Sequence, residues 1–154
     1  MKPSFLLLSI TNLALMSVTA VFGLLVQGAA GFERHFLLGI LTAMFTCFVH
    51  IVAFMYFVVQ EKIIRQACLS DGLDVAFHVQ AVAMKSRALR LSMVGICTVL
   101  LAAMIGAAIG ILVPAEVHLL AAFCAILVNA FLVVFQYALI DEFGRVSQRA
   151  FPEG

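Results

Sequence analysis

The chain alternates between long stretches with no charged residue and short segments that hold nearly all of the charge. Pro3 to Phe32, Phe36 to Gln60, Leu91 to Ala115 and Val117 to Ile140 contain no Asp, Glu, Lys or Arg. A helix rises ~1.5 Å per residue and the hydrocarbon core of a bilayer is ~30 Å thick, so about 20 apolar residues cross it. All four runs meet that length. The pattern predicts an all-α polytopic membrane protein whose four transmembrane helices span approximately 5–27, 35–59, 91–113 and 117–140. They are expected to form an up-down bundle of two hairpins, with a cytoplasmic helical-hairpin extension over approximately 60–90.

Punctuation between the runs fits this reading. Gly28-Ala29-Ala30-Gly31 supplies flexible backbone for a short exterior turn between the first two spans. Pro114 stops the third span, and Glu116 near the start of the fourth sits where a helix dipole favours negative charge. Between spans two and three, Ile63, Ile64 and Ala67 recur at helical spacing, as do Val75, Val79, Val82 and Leu89. A Ser70-Asp71-Gly72 turn separates the two groups, Asp74 is placed to cap the second arm, and Lys85, Arg87 and Arg90 are expected at lipid headgroups.

Composition removes most alternatives. At 65% hydrophobic and 11% charged over 154 residues, almost nothing is left for a soluble domain, so residues 1–154 read as a single four-helix transmembrane domain. Cationic flanks orient it. Lys2, Lys62, Arg65, Lys85, Arg87, Arg90, Arg145 and Arg149 fall on one face and only Arg34 on the other. Lys and Arg are retained on the cytoplasmic side, which places both termini in the cytoplasm of an inner (plasma) membrane. Lys2 followed by an apolar run and Val18-Thr19-Ala20 resembles a secretory signal, but the run continues through Val26, beyond an ordinary signal core. Cys47, Cys97 and Cys124 lie within spans and Cys68 in the cytoplasmic segment, so no disulfide framework is implied.

Polar residues inside the spans form stripes. Ser9, Asn12, Thr19, Gly23 and Gln27 mark one face of the first span; His35, Gly39, Thr42, Thr46, His50 and Ala53 mark the second. Ser92, Gly95, Thr98, Ala102, Gly106 and Gly110 mark the third, and His118, Ala122, Ala125, Asn129 and Gln136 the fourth. Small and polar side chains mark the interior of a bundle in lipid, so the stripes are expected to converge on one seam, with Ala102, Gly106 and Gly110 permitting close approach.

The histidines carry the candidate chemistry. His50 is the only ionisable side chain other than cysteine well inside a span, and such residues are functional suspects because they are costly to keep there. A neutral ring bonded to a threonine or a backbone carbonyl is its structural alternative. Glu33-Arg34-His35 and Glu116-Val117-His118 open the second and fourth spans alike, which suggests a parallel repeat of the two hairpins. His35, His50 and His118 are therefore candidate cofactor ligands for haem b, with His50 needing Met93 or another non-histidine partner. Glu33, His35, Glu116 and His118 form a candidate ligand set for Zn, Mn or Fe.

Functionally, a small membrane subunit that anchors or assembles a larger complex is expected, redox-linked if the histidines hold haem or a metal. Its partners would be the lipid bilayer and other membrane subunits or further copies of the chain. A proton- or ion-coupled transporter acting as an oligomer, with His50 titrating beside Asn12, Thr42, Thr46 and Asn129, is the alternative. No Ser/His/Asp arrangement, phosphate-cradling glycine loop or H-E-x-x-H run is present, so no catalytic activity of its own is expected. The basic residues read as membrane flanks rather than a nucleic-acid patch.

Overall fold

The computed structural model describes residues 2–109 and 112–152. Among them are four long helices and no strand: α1 (Lys2–Leu24), α2 (Gly28–Ser70), α3 (Val75–Ala107) and α4 (Ala115–Ala150). Each is long and apolar enough to cross a membrane. Gly110, the last member of the expected small-residue run, lies outside the described residues, as does part of the expected 91–113 span.

Helix α1 packs on α2 and α4, and α3 packs on α2 and α4, while the diagonal pair α2 and α4 barely touch. The start of α1 meets the later part of α4. Lys2 at the start of α1 pairs with Asp141 late in α4, and Asp141 also holds Arg145. All three side chains are partly or largely exposed, so this network contributes little to stability.

The connections differ in part from expectation. The Gly28–Gly31 tetrad is not the turn but the opening of α2; the chain reverses over Leu25 to Gln27 instead. Gln27 is extended and Gly28 takes φ 64°, the left-handed region that glycine enters without a Cβ penalty, after which the alanines are free to be helical. Gly72, also at positive φ, turns the chain between α2 and α3. There Asp74 Oδ1 accepts a hydrogen bond from the Ala76 amide at 2.8 Å, the N-cap of α3. Asp74→Ala is expected to lower stability by about 1 kcal/mol, read as a lower unfolding midpoint in detergent, with Asp74→Asn close to wild type.

The core falls into two clusters along the bundle axis. Phe5, Ala53, Phe57, Ile64, Ala81, Met84, Ala88, Leu139, Ile140, Phe143 and Val146 form the larger, anchored by an edge-to-face contact of Phe57 on Phe143 with centroids 5.7 Å apart. Met16, Val99, Ala102 and Ala125 form the smaller, towards the other end. The larger cluster continues into α2 and α3 past the charge-free spans, so these two helices stay packed together up to their turn. Between the clusters lies the polar seam.

Candidate functional site

The seam is built from the expected stripes. Ser9, Asn12, Thr42, Thr46, His50, Ser92, Asn129 and Gln136 are all buried. On the α1–α2 side, Thr46 Oγ1 donates to Asn12 Oδ1 at 2.8 Å, and the hydroxyls of Thr19 and Thr42 share a hydrogen bond of 2.6 Å. Each threonine oxygen also lies 2.8–2.9 Å from a carbonyl one turn back on its own helix. The single hydrogen of Thr46 is therefore shared between Asn12 and the Thr42 carbonyl, and of Thr19 and Thr42 one donates to the other while the second donates to its own backbone.

His50 is the centre of the other side, and its partners settle its tautomer. Asn129 Nδ2 donates to the Ala125 carbonyl at 2.8 Å, which leaves Oδ1 to accept from His50 Nε2 at 2.9 Å. Gln136 Nε2 donates to His50 Nδ1 and to Ser92 Oγ, each at 3.2 Å, and Ser92 Oγ donates to the His50 carbonyl at 3.1 Å. Every donor thus meets an acceptor when the ring is neutral with its hydrogen on Nε2. A second hydrogen on Nδ1 would face the Gln136 amino group, donor against donor. The threonine or backbone partner expected for His50 is replaced by two amides from α4. Met93, its expected co-ligand, is 51% exposed on the outer face of α3 and takes no part.

His50 reaches α4 because α3 offers no side chain in the way. A Cβ on Gly95 would lie 2.8 Å from His50 Cδ2 and nearer still to Nε2 and Cε1. The ring therefore lies against bare backbone.

The same device recurs at the opposite end of the bundle. A Cβ on Gly23 would come within 2.8 Å of His35 Cε1, and one on Gly106 within 2.7 Å of His118 Cε1. His118 Nδ1 donates to the Ala102 carbonyl at 3.1 Å, one turn before Gly106. His35 likewise turns towards the backbone of Thr19, one turn before Gly23, but its Nδ1 is buried without closing a hydrogen bond. One sequence offset relates Thr19 to Ala102, Gly23 to Gly106 and His35 to His118, and it also relates the buried serines Ser9 and Ser92. The two rings meet across the bundle with centroids 6.1 Å apart and planes at 69°.

Glu33 and Glu116, the carboxylates of the expected metal set, are exposed and stand apart from this pair. Among the described residues no three His, Cys, Asp or Glu side chains gather into a group able to hold a metal ion. The structure thus brings together the two histidines of that set and not its four members.

A further polar cluster went unpredicted. Glu61, just beyond the charge-free run of α2, is buried between α2 and α3. Its Oε2 accepts from Lys85 Nζ at 2.7 Å and its Oε1 from His78 Nε2 at 2.9 Å. Lys85 therefore turns inward to this carboxylate rather than out to lipid headgroups. The Lys85 hydrogen bond and, after it, that of His78 hold the Glu61 carboxyl below its ordinary value of 4.5 against the opposing effect of burial. The sequence signal was available in hindsight: Glu61 continues the helical register of the buried Ala53, Phe57 and Ile64. No family model, curated protein or solved structure matches the chain.

Proposed function

We propose that the chain is a small integral-membrane subunit that anchors or assembles a larger complex in the inner membrane. In this reading the bundle runs up and down as two hairpins, with both termini and the α2–α3 extension in the cytoplasm, as the cationic flanks favour. The observation that carries it is the division between inside and outside. Apart from Ser9, whose hydroxyl has no hydrogen-bond partner, the buried polar side chains of the seam are hydrogen-bonded within the bundle, while the outer face of every helix is broadly apolar, as at Leu7, Met44, Met104 and Phe131. Such a face suits lipid or the helices of other subunits. The α2–α3 extension, kept rigid by Glu61, His78 and Lys85, supplies a stiff platform at one end.

The transporter alternative draws less support. It needs His50 to take up and release protons, whereas both ring nitrogens are engaged in a network that suits the neutral form. Purification from native membranes in a mild detergent tests the subunit role. The chain is expected to migrate with larger partners, well above its own 16.7 kDa, and cross-linking should join them to α2–α3. A lone monodisperse chain under those conditions would end the proposal.

A further inference from the structure

We propose that a groove between α3 and α4, at the level where the charge-free runs of both helices give way to charge, binds one anionic phospholipid, with its phosphate on Arg87 and Arg90 and an acyl chain along the apolar half. The site rests on the four membrane-length helices and not on any partner subunit, so its failure would leave the subunit role standing.

Three observations point to that ligand. The first is the order of side chains along the groove, which has a volume of about 390 Å³ and is lined by one helical stripe from each wall. The α3 stripe passes from Arg87 and Arg90 to Leu91 and Val94; the α4 stripe passes from Phe135, Ala138 and Leu139 to Glu142. Arg87 Nη1 lies 4.0 Å from Glu142 Oε2, so the charged ends of the two stripes coincide and the apolar members form the other half. Leu139 is buried and makes the floor, while Val94 and Phe135 are exposed, so the groove opens sideways, where lipid can enter. The second observation is depth. Arg87 and Arg90 come just before the charge-free run Leu91 to Ala115, and Glu142 comes just after the run that ends at Ile140. Arginine near the end of a spanning helix reaches the headgroup layer, so the cations stand at phosphate height with the apolar half below them in the acyl region.

The third observation is charge. The polar end holds two guanidinium groups and one carboxylate, which leaves it net positive. At 4.0 Å the contact of Arg87 with Glu142 is too long for a hydrogen bond, and both side chains are about half exposed, at 58% and 46%, so the pair does not lock the guanidinium away. Arg90 makes no ion pair among the described residues, whereas Lys85 is held by Glu61 and Arg145 by Asp141. A guanidinium fork matches phosphate oxygens, and basic pockets between spanning helices are a recurring seat for anionic headgroups. A free phosphate would use only the charged end; a phospholipid fills both halves at once.

The test is native mass spectrometry of the full chain in detergent, with phosphatidylglycerol, phosphatidylcholine or inorganic phosphate added in separate arms. The chain is expected to retain one phosphatidylglycerol in preference to phosphatidylcholine. Arg87→Ala and Arg90→Ala should each weaken that binding about fivefold, as for one cation removed from an anionic lipid surface. Arg65→Ala, which removes an exposed cation of α2 outside the groove, should leave it unchanged. Glu142→Gln should tighten it by a similar factor, because the carboxylate that opposes the phosphate is gone. Ala138→Phe, which fills the apolar half from an exposed position, should remove lipid binding although both arginines remain. Should Arg87→Ala loosen α3 on α4 through its lost contact with Glu142, Arg90→Ala breaks no ion pair and carries the same test. The proposal is overturned by a chain that retains no lipid, by equal retention of the two lipids, by a loss in Arg65→Ala equal to that in the groove variants, or by phosphate binding that Ala138→Phe leaves intact. A dimer of the chain that excludes lipid and that Ala138→Phe dissociates would overturn it in favour of a second copy in the groove.

Discussion

Gly95→Ala is expected to destabilise the protein by roughly 2–5 kcal/mol, although glycine to alanine normally stabilises a helix. The new methyl would occupy the space of the His50 ring, lying 2.8 Å from Cδ2 and closer to Nε2 and Cε1. Moving the ring aside breaks its bonds to Asn129 and Gln136 and leaves Asn129 Oδ1 and one hydrogen of the Gln136 amide unpaired inside the bundle. Overpacking alone costs about 1–3 kcal/mol, and each unsatisfied buried group a similar amount. Unfolding by graded SDS in mixed micelles measures the change. A second comparison isolates the cause: on a His50→Ala background the ring is gone, and Gly95→Ala should then cost less than about 1 kcal/mol. Equal losses in both backgrounds would show that the glycine matters for some reason other than seating the ring.

Glu61→Gln should have the next largest effect, a loss of about 1–3 kcal/mol. Breaking a fully buried ion pair costs about 3–5 kcal/mol, but Lys85 and His78 remain partly exposed and can turn to solvent, so the lower range applies here. The amide would offer only one acceptor where the carboxylate serves two donors. Removing the cation as well, in Glu61→Gln with Lys85→Met, should recover part of the loss, because no charge is then stranded. The acid limb of the stability curve provides an independent check. The native carboxyl lies below its ordinary value of 4.5, so between the two values the unfolded chain binds a proton that the native one refuses. Stability from this group is therefore complete above the ordinary value and is lost as pH falls through the lower native one. Wild type should show that acid loss and Glu61→Gln should not; parallel curves would remove the carboxylate from the account.

Much of the architecture was legible because lipid imposes a coarse requirement. Four uncharged runs must be four apolar helices, and hydrophilic groups recurring at three- and four-residue steps must share a face, as Thr42, Thr46 and His50 do. Asp74 as a cap was legible too, because capping is a local interaction between residues two or three apart. Boundaries were less so. The Gly28–Gly31 tetrad looked like a loop by composition, yet only Gly28 is needed at positive φ, and the two alanines after it extend α2. Lys85 looked like a headgroup contact because its partner, Glu61, lies on a different helix and nothing in the local pattern pairs them.

The sequence by itself determined that the chain forms four membrane-length helices and which face of each turns inward, since both follow from residue-by-residue transfer between water and lipid. Tertiary structure alone decided who meets whom. That His50 bonds to Asn129 and Gln136, that His35 faces His118 while Glu33 and Glu116 stand apart, and that three glycines seat three histidines depend on the relative height and rotation of packed helices. A shift of one helix by a single turn would exchange every one of those partners without altering the hydrophobic pattern, so only packing could choose among them.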